Sequence, residues 1–159
     1  MTYDIHGTWD SYTDFNAPLY NVSSLNGAFS VDAGIKSWIQ AGFPKEQIVM
    51  GVPFYGYIYK GVADINNGFN QTYSGGASIS YANIAGNYLG LSAYKRFFNS
   101  TAKVPWLFNG STFISYEDEE SMTEKAKYIK VNGLAGAMIW ELSQDPDKVL
   151  FNALYSGLK

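Results

Sequence analysis

The stretch Gln47 to Phe54, QIVMGVPF, decides how the rest of the chain is read. Its apolar residues run on without polar alternation, the pattern of a parallel strand covered on both faces. Just ahead of it, VDAGIKSWIQAG predicts a helix with Ser30 as N-cap, Asp32 in the first turn and Gly42 closing it. Val31, Ile35, Trp38 and Ile39 share one face of that helix, which puts Trp38 in the core. A second apolar run, LAGAMIWEL from Leu134 to Leu142, has a helical pattern on either side. Before it, SMTEKAKYIKVNG opens with a capping box from Ser121 to Glu124, turns Met122, Ala126 and Ile129 inward and stops at Gly133. After it, DPDKVLFNALYSG has Asp145 as cap, Pro146 at the first helical position, Val149, Leu150, Ala153 and Leu154 inward, and Gly157 at the end. MTYDI at the start of the chain reads as a third strand of the same kind.

Strand, helix, strand and then helix, strand, helix spell consecutive β/α units and an α/β fold class. Between Tyr55 and Glu120 lie about 65 residues, where such connections usually take roughly 2–6. That stretch is rich in Gly, Asn, Ser and Tyr and contains β-like pieces such as TFISYE. It predicts an inserted α+β subdomain: a small antiparallel sheet with a helix near Tyr81 to Phe98. The expected division is therefore 1–54, with two strands and the helix between them; 55–120, the insertion; and 121–159, a helix, a strand and a closing helix. Two architectures fit. One is the last three units of a (β/α)8 TIM barrel, which in full takes about 250 residues, with the chain cut before its sixth strand; the other is a small self-contained three-layer domain.

Composition narrows the chemistry. The 159 residues are 47% hydrophobic, carry a net charge of −3 and have no basic cluster, so neither nucleic acid nor a membrane surface is an expected partner. No run approaches the roughly 20 apolar residues of a membrane span. With no Cys and one His, disulfides, thiolate catalysis and His-paired metal centres are excluded, and acid–base work falls to carboxylates and tyrosines. Aromatic residues make up 17%, and their flat faces with polar edges suit neutral ligands such as sugars. Glycosylation triplets at Asn21, Asn70, Asn99 and Asn109 point to secretion.

Ligands of parallel β/α folds meet the C-terminal ends of the strands. Those ends carry Met1, Tyr3 and Asp4; Pro53, Phe54 and Tyr55; and Met138, Trp140 and Glu141. Glu141 is expected to point away from Trp140. MTYDIHGTWD, IVMGVPFYG, FISYEDEESMTEKAKYIK and LAGAMIWELSQD, in this order and spacing, resemble the closing segments of family 18 glycoside hydrolases, the chitinases and their relatives. The resemblance covers essentially the whole chain and implies the barrel reading, with the α+β insertion between the seventh and eighth strands.

The resemblance also implies roles. In that family the 2-acetamido group of the sugar attacks its own anomeric carbon, so no protein nucleophile, metal or cofactor is needed. Tyr3 would hydrogen-bond the acetamido carbonyl, and Asp4 would position it as charge develops. Trp140 would floor the sugar at the cleavage point with Met1 beside it, Tyr55 would contact the site, and Trp9 would stack on a leaving-group sugar. Chitin or its oligosaccharides would be the partner, the full-length protein would be extracellular, and the oligomeric state stays open. Two departures stand out. Tyr57 occupies the position of a usual Arg, and no stretch of the chain matches DxxDxDxE, whose last Glu is the family's general acid. EDEE at Glu117 to Glu120 reads instead as negative charge ahead of a helix N-terminus. A chain without the proton donor is expected to be inactive alone. A sugar-binding, lectin-like protein and an inert gene fragment are the alternatives. His6 is expected to make a structural hydrogen bond, and Trp106 fits either core or site.

Overall fold

A computed structural model describes residues 1–23 and 25–159. Its elements run α1 (Val31–Gln40), β1 (Val49–Pro53), β2 (Tyr55–Lys60), β3 (Gly75–Ser80), α2 (Tyr81–Asn87), β4 (Lys95–Asn99), β5 (Val104–Phe108), β6 (Thr112–Ser115), α3 (Glu119–Asn132), β7 (Gly136–Trp140) and α4 (Val149–Leu158). The two central apolar runs of the sequence become β1 and β7, paired in parallel from Val49 opposite Gly136 to Pro53 opposite Trp140. The segment between them holds a five-stranded antiparallel sheet in the order β3-β2-β6-β5-β4. Only Phe54 separates β1 from β2. Its amide donates to the Trp140 carbonyl at 2.7 Å and its carbonyl accepts from the Tyr81 amide at 2.9 Å, so the two sheets meet at one buried residue.

Beneath the antiparallel sheet, Phe15, Phe69, Phe97, Trp106 and Phe113 form a continuous stack of rings with neighbouring centroids 4.7–6.4 Å apart. Full burial of one such side chain stabilises by roughly 1.5–3 kcal/mol. Trp106 belongs to this core; its indole N–H donates to the Asn67 carbonyl at 3.0 Å. On the other side α3 packs on α4. Gly157 lies inside α4 instead of ending it, because a Cβ there would come 2.6 Å from that of Ala126.

Several expectations are corrected. MTYDI forms no ladder: Asp4 adopts a left-handed backbone (φ 55°), which breaks the extended run after Tyr3. The segment is held by the Thr2 hydroxyl donating to the Gly51 carbonyl at 2.6 Å. The helix at Tyr81 stops at Asn87, Gly90 turns the chain at φ 81°, and the aromatic pair Phe97 and Phe98 joins a strand. Helix α3 starts earlier than Ser121, because Asp118 is its N-cap and exchanges hydrogen bonds with Ser121. Glu119 and Glu120 lie in its first turn, whereas Glu117 is buried against Lys125, whose ammonium donates to Glu117 Oε1. Pro146 precedes α4, and Asp145 caps it from a distance by accepting from the amides of Val149 and Phe151, each at 2.9 Å. Val149 and Ala153 are only half-buried; Leu150 and Leu154 carry the inward face. Trp38 is 61% exposed and Ile39 is exposed too, because α1 buries only Val31, Gly34 and Ile35 in its first half; Trp38 packs edge-to-face with Phe43, ring centroids 5.9 Å apart.

Candidate active site

The parallel strands β1 and β7 end side by side, and their C-terminal ends deliver Phe54 and Trp140 to one edge of the antiparallel sheet. There a cleft of about 280 Å³ is lined by Asp4, Tyr55, Tyr57, Ser78, Ile79, Ser80, Trp140 and Gln144. The left-handed turn at Asp4 aims its carboxylate at β2, and alternation along β2 sets Tyr55 and Tyr57 on the same face. Both phenols donate to a single oxygen, Asp4 Oδ1, at 2.5 and 2.7 Å. Among the described residues Asp4 Oδ2 accepts no hydrogen bond. Burial, and then the bond to Asp4, push both hydroxyls above the ordinary tyrosine range, so they remain protonated donors.

Asn16 fixes this arrangement. Its side chain accepts from the Asp4 amide at 2.8 Å and donates to the Tyr55 carbonyl at 3.1 Å. Its own amide donates to the Ser115 hydroxyl at 2.8 Å, and its carbonyl accepts from the Ile5 amide at 2.9 Å. The loop that follows is pinned by His6, buried with Nδ1 3.1 Å from Asp10 and Nε2 3.8 Å from Asp14, and by the Tyr73 hydroxyl donating to the Thr8 and Asp10 carbonyls. His6 is thus structural, as its sequence context suggests.

Of the residues singled out from sequence, Asp4, Tyr55 and Trp140 line the cleft together, and Trp140 is 53% exposed. Trp9, also exposed, stands edge-on to Tyr57 with ring centroids 5.4 Å apart. Tyr3 and Met1 open instead onto a second hollow of about 460 Å³, between residues 1–5, α1 and the start of β1, which shares Asp4 with the cleft. Tyr3 lies over Gly51, where a Cβ would come 2.9 Å from its ring, and packs edge-on to Tyr55 at 6.1 Å. Its hydroxyl is buried without a partner, and burial followed by the nearby Asp4 raises its pKa. Glu141 is exposed and accepts from the Ser143 hydroxyl at 2.5 Å; the Trp140–Glu141 peptide is cis. Sequence reading missed Tyr57 as a donor, Gln144, whose buried Oε1 has no partner, and Asn16. The two-residue step from Tyr55 to Tyr57 was the one available signal. Among the described residues no group of three or more His, Cys, Asp or Glu is placed to hold a metal ion, and no helix is long and apolar enough to cross a membrane.

A profile of glycosyl hydrolases family 18 matches residues 1–145, and the chain belongs to that family. It is 42% identical to chitinase A1 of Niallia circulans over 175 aligned residues, covering 99% of this chain and 25% of that protein. Among solved structures, a family 18 N-acetylglucosaminidase from Paenibacillus barengoltzii superposes with a TM-score of 0.93 at 38% identity, covering 99% of this chain and 47% of that one. The Group IV chitinase of Ostrinia furnacalis, solved in complex with allosamidin, superposes with a TM-score of 0.90 at 30% identity, covering 99% of this chain and 48% of that one. The chain spans about a quarter of the length of the first of these relatives and about half of the solved ones.

Proposed function

We propose that these 159 residues are the closing part of a (β/α)8 barrel that hydrolyses β-1,4-linked N-acetylglucosamine polymers, divided as 1–54, 55–120 and 121–159, with the middle part an α+β insertion beside the cleft. The observation that carries this reading is one carboxylate, Asp4, held by two phenols opposite the exposed ring of Trp140 at the ends of two parallel strands. Relatives that are chitinases support the substrate class. In this reading the sugar rests on Trp140, and its acetamido oxygen attacks the anomeric carbon as the glycosidic bond breaks, giving a cyclic oxazolinium that water then opens. Asp4 faces the developing positive charge, and Tyr3, whose unpartnered hydroxyl borders the adjoining hollow that shares Asp4 with the cleft, hydrogen-bonds the acetamido group where the sugar reaches past Asp4. Met1, Tyr55 and Trp9 contact neighbouring parts of the sugar chain. The protein works outside the cell on chitin or chitooligosaccharides.

The leaving oxygen needs a proton, and none of these residues forms the DxxDxDxE motif that the resemblance implies as its source. General acid catalysis contributes about 10²–10⁴ in rate, so the 159-residue chain is expected to bind chitooligosaccharides without hydrolysing them. Calorimetric titration with an N-acetylglucosamine oligosaccharide tests this. Trp140→Ala and Tyr3→Phe should each weaken binding, Trp140→Ala by about tenfold through loss of ring-face contact. Affinity unmoved by both changes would overturn the site, and turnover by this chain would overturn the assignment of the acid.

A further inference from the structure

Gly7 is buried, yet its backbone lies outside the left-handed region that glycine alone enters freely. Its missing side chain serves a neighbour instead. A Cβ at this position would lie 2.4, 2.5 and 2.8 Å from three adjacent carbons of the Trp9 ring, which are its three nearest atoms, whereas carbon atoms pack best at about 3.5–4.0 Å. Such similar distances to three adjacent carbons set Gly7 against a face of the ring, not its rim. Trp9 itself stays 59% exposed. The ring also meets Tyr57 at an interplanar angle of 85°, and Tyr57 donates to Asp4 in the cleft. The turn that carries Trp9 is tied at several points. The Asp10 amide donates to the Gly7 carbonyl at 3.0 Å, and the Gly7 amide donates back to Asp10 Oδ2 at 3.2 Å. From the segment ahead of β3, the Tyr73 hydroxyl reaches the Thr8 and Asp10 carbonyls at 2.9 and 2.7 Å.

We infer, resting on the chitooligosaccharide reading above, that Gly7 and Tyr73 are positioning residues for Trp9: the glycine is the seat of the indole and the tyrosine clamps the turn that carries it. Holding an exposed ring still costs side-chain entropy and buries little area. That cost is useful when the ring must already be in place as a sugar arrives, because a platform ordered beforehand spares the ligand the ordering. Trp9 makes the contact with the sugar; Gly7 and Tyr73 act only through it. Because the φ of Gly7 suits any residue, an alanine there meets no backbone penalty, and the exposed indole can swing aside to admit its methyl group. Gly7→Ala therefore moves the platform without unfolding the chain.

The test is a double-mutant cycle on the 159-residue chain, read by calorimetric titration with an N-acetylglucosamine hexamer. Trp9→Ala should weaken binding by about tenfold, and Gly7→Ala by about three- to tenfold, with its urea midpoint equal to the parent's. Beside Trp9→Ala, the further change Gly7→Ala should alter affinity by less than about twofold, because the added methyl group then meets no ring. Tyr73→Phe should follow the same pattern, weakening the parent and leaving the Trp9→Ala chain unmoved. Losses that add in full overturn the inference, since a merely structural role would act whether or not the indole is present. Hexamer affinity unmoved by Gly7→Ala but lowered by Trp9→Ala also overturns it and leaves the chitooligosaccharide reading standing, as does an affinity unmoved by Trp9→Ala. A parent chain that does not bind the hexamer overturns both. Should Gly7→Ala fail to fold, Tyr73→Phe decides: a loss confined to chains that keep Trp9 supports the inference, and an equal loss with and without Trp9 overturns it.

Discussion

Lys125 and Glu117 are both buried, and each shows the mark of it: burial pushes the Glu117 carboxyl up and the Lys125 ammonium down. Removing one partner leaves the other without compensation in a dry site, which typically costs about 3–5 kcal/mol. Lys125→Met should therefore destabilise the chain by that much in urea titration, while Glu117→Leu combined with Lys125→Met should recover most of the loss. A double variant as weak as the single one would show that packing, not the uncompensated carboxylate, sets the cost. The sequence pointed to the helix N-terminus for the whole acidic run, and for Asp118, Glu119 and Glu120 that was sound. Glu117 was illegible because it belongs to the preceding chain, ahead of the cap, and its partner lies on the helix eight residues on. Trp140 was legible as a site candidate because strand ends are where ligands meet such folds, and Asp4 was singled out on the same ground although its segment forms no strand and reaches the cleft through a left-handed turn. The bond from Tyr57 to Asp4 spans 53 residues and has no local pattern to announce it.

At the scale of elements, the tightest junction is β2 against β6. A Cβ at Gly56 would lie 1.8 Å from the Ser115 carbonyl oxygen, inside a strand buried along five of its six residues. Gly56→Ala should force the two strands apart and cost at least about 2–3 kcal/mol, as overpacking does. Gly75→Ala, in the neighbouring β3 where an added Cβ meets nothing within 4 Å, should stay within about 1 kcal/mol. Equal melting-temperature losses for the two would remove the steric account. Continuous apolar runs identified β1 and β7 and periodicity found α1, α3 and α4, but the full cover expected on both faces holds for β1 from Met50 to Pro53 and not for β7, which is half-buried and exposed at Trp140. Their ends were less legible. Caps depend on which carboxylate reaches a free amide: Asp118 caps α3 three residues ahead of the expected Ser121, and Asp145 is the expected cap but reaches amides four and six residues on, because α4 starts only at Val149. Trp38 misled for a related reason: an apolar helical face says what could be covered, and only packing says what is.

Across the whole molecule, tyrosines set the response to alkali. The hydroxyls of Tyr55, Tyr57, Tyr59, Tyr116 and Tyr128 are held above the ordinary value of 10.0, first by burial, and that of Tyr81 is pushed up to about 12. Above about pH 10 the unfolded chain releases these protons while the folded chain keeps them, so the folded state binds more protons and stability falls as pH rises. Urea midpoints should be level from about pH 8 to about pH 9 and drop steadily towards about pH 12, with tyrosinate absorbance rising at unfolding. A level midpoint through that range would show that the phenols are free in the folded chain. The α/β class was readable from the alternation of patterns, whereas the five-strand order of the inserted sheet was not, because antiparallel pairing carries no fixed spacing along a chain. Asn16 has the last consequence. Every polar atom it owns is committed, to Asp4, Ile5, Tyr55 and Ser115, so one amide rivets the opening loop to two strands of the large sheet. The aim of the Asp4 carboxylate is inherited from that sheet, and a sideways slip of its strands would carry the acid along with them.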